Sequence, residues 1–178
     1  AEAAIWNVVH AAHSKGDMRA LAVDAHSCVN LTHNTPYITG CSTVFVLAVA
    51  AMLNQVRLDE IQGYMWGLRD DDDIRERTSS NDITFQIGST SARMGGDAEL
   101  NIDAVTACRV IGMNCTMSFQ VPAAYFLLHR YPDDFEQAVL TAVNAGGNTA
   151  VRAALTGALV GARVGLSGIP SRFIEGLQ

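Results

Sequence analysis

Apolar residues recur at helical spacing along almost the whole chain, and the breaks between runs fall at glycine, proline and short polar clusters. This period leaves no room for a central sheet. Ala3 to His13 reads as a first helix, stopped by Ser14-Lys15-Gly16. Asp17 is placed to cap a second, in which Leu21, Ala25, Cys28, Val29 and Leu31 share a face, and which ends near Thr32-His33-Asn34-Thr35-Pro36. Ile38 to Asn54 is apolar nearly all round, which predicts a helix buried on most sides. Leu58 to Gly67 follows, with Asp59 and Glu60 expected in its first turn. Later helices are expected over Leu100 to Ile111, Val121 to Arg130, Pro132 to Asn144 (Pro132 in the first turn), Asn148 or Thr149 to Leu166, and Ser171 to Leu177. There is no βαβ alternation, no dinucleotide-binding glycine fingerprint and no internal repeat. The fold expected is all-α, an orthogonally packed multi-helix bundle, with residues 1–178 forming one helical domain.

The stretch Arg69 to Glu99 breaks the rhythm. Asp70 to Asp73 lead into Arg75, Glu76 and Arg77, then into residues rich in Ser, Thr, Asn and Gly. Four consecutive carboxylates on a helix point in different directions, so the run reads as a solvated face or helix end rather than a metal site. Ile83, Phe85 and Ile87 alternate, which suggests a short extended piece. The stretch is expected to be exposed or to cover a partner, while Val44 to Leu53 and Ala153 to Gly165 are expected to be buried.

Charge and composition exclude several function classes. Lys15 is the only lysine, the arginines are scattered, and the formal net charge is -6, so no basic stripe exists to hold nucleic acid. Val44 to Leu53 is too short to span a membrane, and Arg152 and Arg163 interrupt the longer glycine-rich run Thr149 to Gly168. Cys28, Cys41, Cys108 and Cys115 match no zinc spacing and read as buried, reduced thiols of a soluble, intracellular protein. His10, His13, His26 and His129 read as surface or cap residues. Ser42, Ser118 and Ser171 have no His-acid context, so no residue is assigned to nucleophilic catalysis.

Four segments, taken in order, resemble the ADP-ribosylglycohydrolase family, including its J1-crystallin branch. They are Leu31-Thr32-His33 before a buried helix; Val121-Pro122-Ala123-Ala124-Tyr125-Phe126; Asp134-Phe135-Glu136 leading through Ala142-Val143-Asn144 to Gly146-Gly147; and Gly157 to Ala162 followed by Gly165 and Gly168-Ile169-Pro170. The resemblance is to the C-terminal part of the family's fold. It implies a binuclear Mg²⁺ centre facing the helix that follows the glycine pair, where the family reads Asp-Thr-Asp-Thr. This chain reads Asn148-Thr149-Ala150-Val151 and then Arg152. A hard cation needs several carboxylates, so the expectation is no metal ligand and no bound cofactor. The family's upstream acidic motif has no counterpart before Asp17, and the chain is expected to be a fragment or processed piece.

The resemblance also places His33 beside a ligand pocket. The sharp break at Gly146-Gly147, the helix N-terminus at Asn148 and Thr149, and Arg152 are the further candidates for holding an ADP-ribose-like anion. The function expected is a degenerate member acting as a structural or interaction module. The alternatives are a Mg²⁺-dependent ADP-ribosyl hydrolase completed by acids from another chain or a missing N-terminal half, and an anion or nucleotide binder without turnover.

Overall fold

The computed structural model describes residues 1–78, 84–100 and 102–177, and it is all-α. The helices are α1 (Glu2–His13), α2 (Met18–Asn30), α3 (Pro36–Leu53), α4 (Ile61–Gly67), α5 (Asp72–Thr78), α6 (Thr90–Arg93), α7 (Ala104–Ile111), α8 (Met117–Arg130), α9 (Phe135–Asn144), α10 (Thr149–Val164) and α11 (Ser171–Glu175). Single 3₁₀ turns follow α4 at Leu68–Asp70 and α10 at Leu166–Gly168.

Several of these helices begin in the same way, α6 at Ser89 included. A side-chain oxygen at the N-cap accepts the backbone N–H three residues on: Asp17 from Ala20 at 2.9 Å, Asp103 from Thr106 at 2.8 Å, Asp134 from Gln137 at 2.9 Å and Asn148 from Val151 at 3.3 Å. Each satisfies a donor that the helix itself cannot. This capping corrects two expected boundaries. Because Asp134 is the cap, α9 starts at Phe135 and Pro132 lies in the preceding turn. Asp59 and Glu60 stay outside α4, where Arg57 holds them at 2.5 and 3.8 Å. A third correction is that α8 starts four residues earlier than expected, so Pro122 lies inside it and the Ser118 carbonyl cannot receive its usual helical bond from residue 122.

α3 is the central element. Every residue from Thr39 to Met52 is buried, and large side chains reach solvent only near its two ends, at Tyr37 and Leu53. Among the described residues it is the one helix long and apolar enough to cross a membrane, yet 78% of it is buried against its neighbours. α8 separates two apolar clusters: Val121, Ala124, Tyr125 and Leu128 face the main core, while Ala123, Phe126 and Leu127 face Ala104, Ala107, Cys108 and Ala142. Burial of each such Leu or Phe side chain stabilises by roughly 1.5–3 kcal/mol.

α1, α3, α8 and α10 run in the same direction. At their C-terminal ends, Gly16 adjoins Asn54, Gln55 Nε2 donates to the Arg163 carbonyl at 3.2 Å, and Arg163 Nε donates to the Pro132 carbonyl at 3.1 Å. At their N-terminal ends, the Ala1 amine meets the Cys115 carbonyl, Tyr37 bonds to Ser118, and the Asn148 N–H meets the Met113 carbonyl. α2 returns between α1 and α3, and the Thr39 hydroxyl reaches Asn30 Oδ1 at 3.1 Å.

The burial expected of α10 is only partly found. Its buried row is Val151, Arg152, Leu155, Thr156, Leu159 and Val160. The small-residue row is half-buried and lets α9 approach, so that a Cβ added at Gly161 would stand 3.3 Å from the Phe135 ring.

The 84–100 segment is not the exposed stretch expected of it. Thr84, Phe85, Ile87 and Ala92 are buried, although Gln86, Arg93 and Gly96 to Glu99 are exposed. Side chains of α4 and α8 satisfy its backbone: Tyr125 donates to the Thr84 carbonyl at 2.8 Å, His129 Nε2 to the Ile87 carbonyl at 2.8 Å, and Gln62 bridges the Phe85 carbonyl and the Gly88 N–H at 3.1 and 3.0 Å. With these partners the segment needs no strand pairing, and Phe85 and Ile87 lie in turns. Ile83 lies outside the described residues.

Candidate functional site

The α9–α10 turn is built around two glycines and a distant methionine. Gly146 and Gly147 have φ of +79° and +70°, the left-handed region that glycine adopts without penalty. A Cβ on Gly147 would lie 2.4 Å from the Met113 carbonyl oxygen, so the position needs glycine for space as well. The same carbonyl accepts the Asn148 N–H at 2.9 Å, tying the turn to the loop before α8. Met113 was not among the residues singled out from the sequence. Thirty-odd residues separate it from the glycines, and no local pattern marks it.

The helix N-terminus is largely closed. The Thr149 N–H bonds to the Gly147 carbonyl at 2.9 Å, and the Val151 N–H is held by the Asn148 side chain. Among the described residues the Ala150 N–H has no partner, and neither has the Thr149 hydroxyl. Ala150 and Gly147 are exposed, while Asn148 and Thr149 are partly buried.

Arg152, expected to face an anion, turns inward instead. Its side chain is fully buried, and both terminal nitrogens donate to the Gly146 carbonyl, Nη1 at 3.1 Å and Nη2 at 2.5 Å. Its Nε is sealed without a partner, and no carboxylate pairs with it among the described residues. From α7, Arg109 Nε donates to the Ala145 carbonyl at 3.0 Å. Two guanidinium groups thus bind the carbonyls that end α9, where the helix dipole is negative.

His33 sits in the α2–α3 turn at the end of the bundle that carries the N-termini of α3, α8 and α10. It is exposed, its Nδ1 lies 2.9 Å from the Thr32 hydroxyl, and no bond joins it to the glycine turn. The structure therefore brings His33 to the same end as Gly146, Gly147, Asn148 and Thr149, and holds Arg152 beneath the turn.

This donor set does not fit a magnesium ion. Asn148 Oδ1 is engaged as a cap, Ala150 carries no donor, and the described residues gather no trio of His, Cys, Asp or Glu side chains. Asp71 to Asp73 are used otherwise: Asp71 Oδ1 caps α5 through the Asp73 and Ile74 N–H groups, Asp72 pairs with Arg75, and Asp73 pairs with Arg19 and Arg77.

Two other residues depart from expectation. His129 is not a surface residue but is buried against Ile87, and burial pushes its pKa down. Cys115 lies exposed in the turn before α8, while Cys41 and Cys108 are buried and desolvation pushes each thiol up to about 11.

No curated protein matches the chain significantly. The ADP-ribosylglycohydrolase family model matches residues 3–178, nearly the whole chain, and the all-α fold agrees with it, so the chain belongs to the ADP-ribosylglycohydrolase family.

Proposed function

We propose that this chain is a non-catalytic member of its family, a pseudoenzyme whose helical fold serves as a structural or interaction module. The observation that carries this reading is the buried Arg152 guanidinium on the Gly146 carbonyl. A fixed positive charge directly under the α9–α10 turn opposes a dication there, and Asn148 and Ala150 supply no carboxylate to offset it. The hydroxyl, cap and glycine geometry of the turn is retained as architecture, tied to Met113.

Binding of an ADP-ribose-like anion without turnover is the second reading. It draws support from the unpartnered Ala150 N–H and the exposed Gly147 at a helix N-terminus. Titration calorimetry of the purified chain with Mg²⁺ and with ADP-ribose, alongside hydrolysis of ADP-ribosyl-serine and ADP-ribosyl-arginine, separates the readings. The structural role expects no Mg²⁺ heat, no ADP-ribose heat and no turnover. Heat from ADP-ribose alone selects the binder. Metal-dependent turnover overturns both, and points to an active hydrolase completed by acids beyond this turn.

A further inference from the structure

A cleft lies at the other end of the bundle, where α8 ends and α6 docks. His129 is 12 residues beyond the start of α8 at Met117, which at 1.5 Å per residue puts the cleft about 20 Å from the glycine turn. It encloses about 650 Å³ and is lined by Leu58, Asp59, Thr90, Arg93, Met94, Gly96, Asp97, Leu100 and His129. That volume is in the range of small-molecule sites.

Three polar groups of different character converge on it. The Arg93 guanidinium is exposed, and no hydrogen bond or ion pair engages it among the described residues. Asp97 uses Oδ1 to accept the Glu99 N–H at 2.9 Å, and its second oxygen takes no partner among the described residues. His129 is only 8% exposed, and its Nε2 lies 2.8 Å from the Ile87 carbonyl. A carbonyl oxygen only accepts, so Nε2 carries the proton and Nδ1 of the neutral ring is a lone-pair acceptor. His129 forms part of the cleft wall beside Gly96. Asp59 adds a second carboxylate, already paired with Arg57.

This arrangement selects by charge. A simple anion attracted to Arg93 meets Asp97 and Asp59, and a simple cation attracted to Asp97 meets Arg93. A molecule carrying both signs satisfies both walls, and Leu58, Met94 and Leu100 offer an apolar floor. We infer that this cleft binds a small zwitterion of the amino-acid or dipeptide class with an apolar side chain, its carboxylate on Arg93 and its ammonium group on the second Asp97 oxygen.

The test is calorimetry of the full chain with three probes: Ala-Leu dipeptide, its N-acetyl form and its C-terminal amide. Ala-Leu is expected to bind at least about tenfold more tightly than either blocked form, because each blocked form loses one charge-assisted contact. Arg93→Gln and Asp97→Asn, both at surface positions, are each expected to weaken Ala-Leu about tenfold while the circular dichroism spectrum stays unchanged. The imidazole resonances of His129 are expected to shift on adding Ala-Leu. Equal binding of Ala-Leu and either blocked form, insensitivity to both substitutions, or no heat from any probe overturns the inference.

Discussion

The Arg152 guanidinium donates to the carbonyl of Gly146, six residues before it, through Nη1 at 3.1 Å and Nη2 at 2.5 Å. A residue that the pattern places at a ligand is thereby a staple between the start of α10 and the end of α9. Arg152→Ala removes the donors, leaves the Gly146 carbonyl short of partners and opens a cavity, so it should destabilise the fold by about 2–4 kcal/mol. Arg152→Met should cost clearly less, since the stem packing is kept and the cavity is smaller. Urea unfolding of both variants checks this, and equal losses would show that the packing of the arginine stem contributes nothing.

Gly147 and Gly157 should respond oppositely to the same substitution. Gly147→Ala must keep φ at +70° with a methyl 2.4 Å from the Met113 oxygen, so the turn has to shift, at about 2–4 kcal/mol. At Gly157, inside α10, the added Cβ would stand 3.5 Å from Val139, an ordinary contact. There alanine should be neutral or stabilise by up to about 1 kcal/mol. Thermal melts of the two variants measure the contrast.

His129 should make stability depend on pH. Its pKa is lowered in the fold, first by burial and then by Arg93 and Arg163, against a bond to Ile87 that raises it. The unfolded chain therefore takes up a proton that the folded chain refuses. The sign follows: this contribution is fully present above about pH 6.5 and is lost as pH falls below it. Denaturant titrations from pH 7.5 to 5.5 should show falling stability, with a shallower slope in His129→Gln.

The four thiols should react in order of exposure. Cys115 is exposed and Cys28 partly so, whereas Cys41 and Cys108 are buried with pKa values pushed up to about 11. Since the thiolate is the nucleophile, a brief iodoacetamide pulse on the native protein should modify Cys115 first and leave Cys41 and Cys108 unmodified. Peptide mass spectrometry reads the order, and early labelling of Cys108 would contradict the packing around α7.

The sequence by itself determined most of the long helices and several of their ends, because these depend on residues within a turn or two. Asp17 at α2, Asn148 at α10 and the all-round apolarity of α3 are local facts of this kind, and so is the loss of carboxylates at Asn148 and Ala150. Only the tertiary structure decided what each turn faces. Met113 closing on Gly147, Arg152 turning under its own helix, His129 and Tyr125 holding the 84–88 backbone, and Cys115 reaching solvent all depend on partners 6 to 42 residues away. A hydrophobic period reports which face of a helix is buried, but carries no record of which element covers it. Polar side chains are assigned their task by that element: the same arginine is a ligand group or an internal staple according to whether solvent or a carbonyl lies above it.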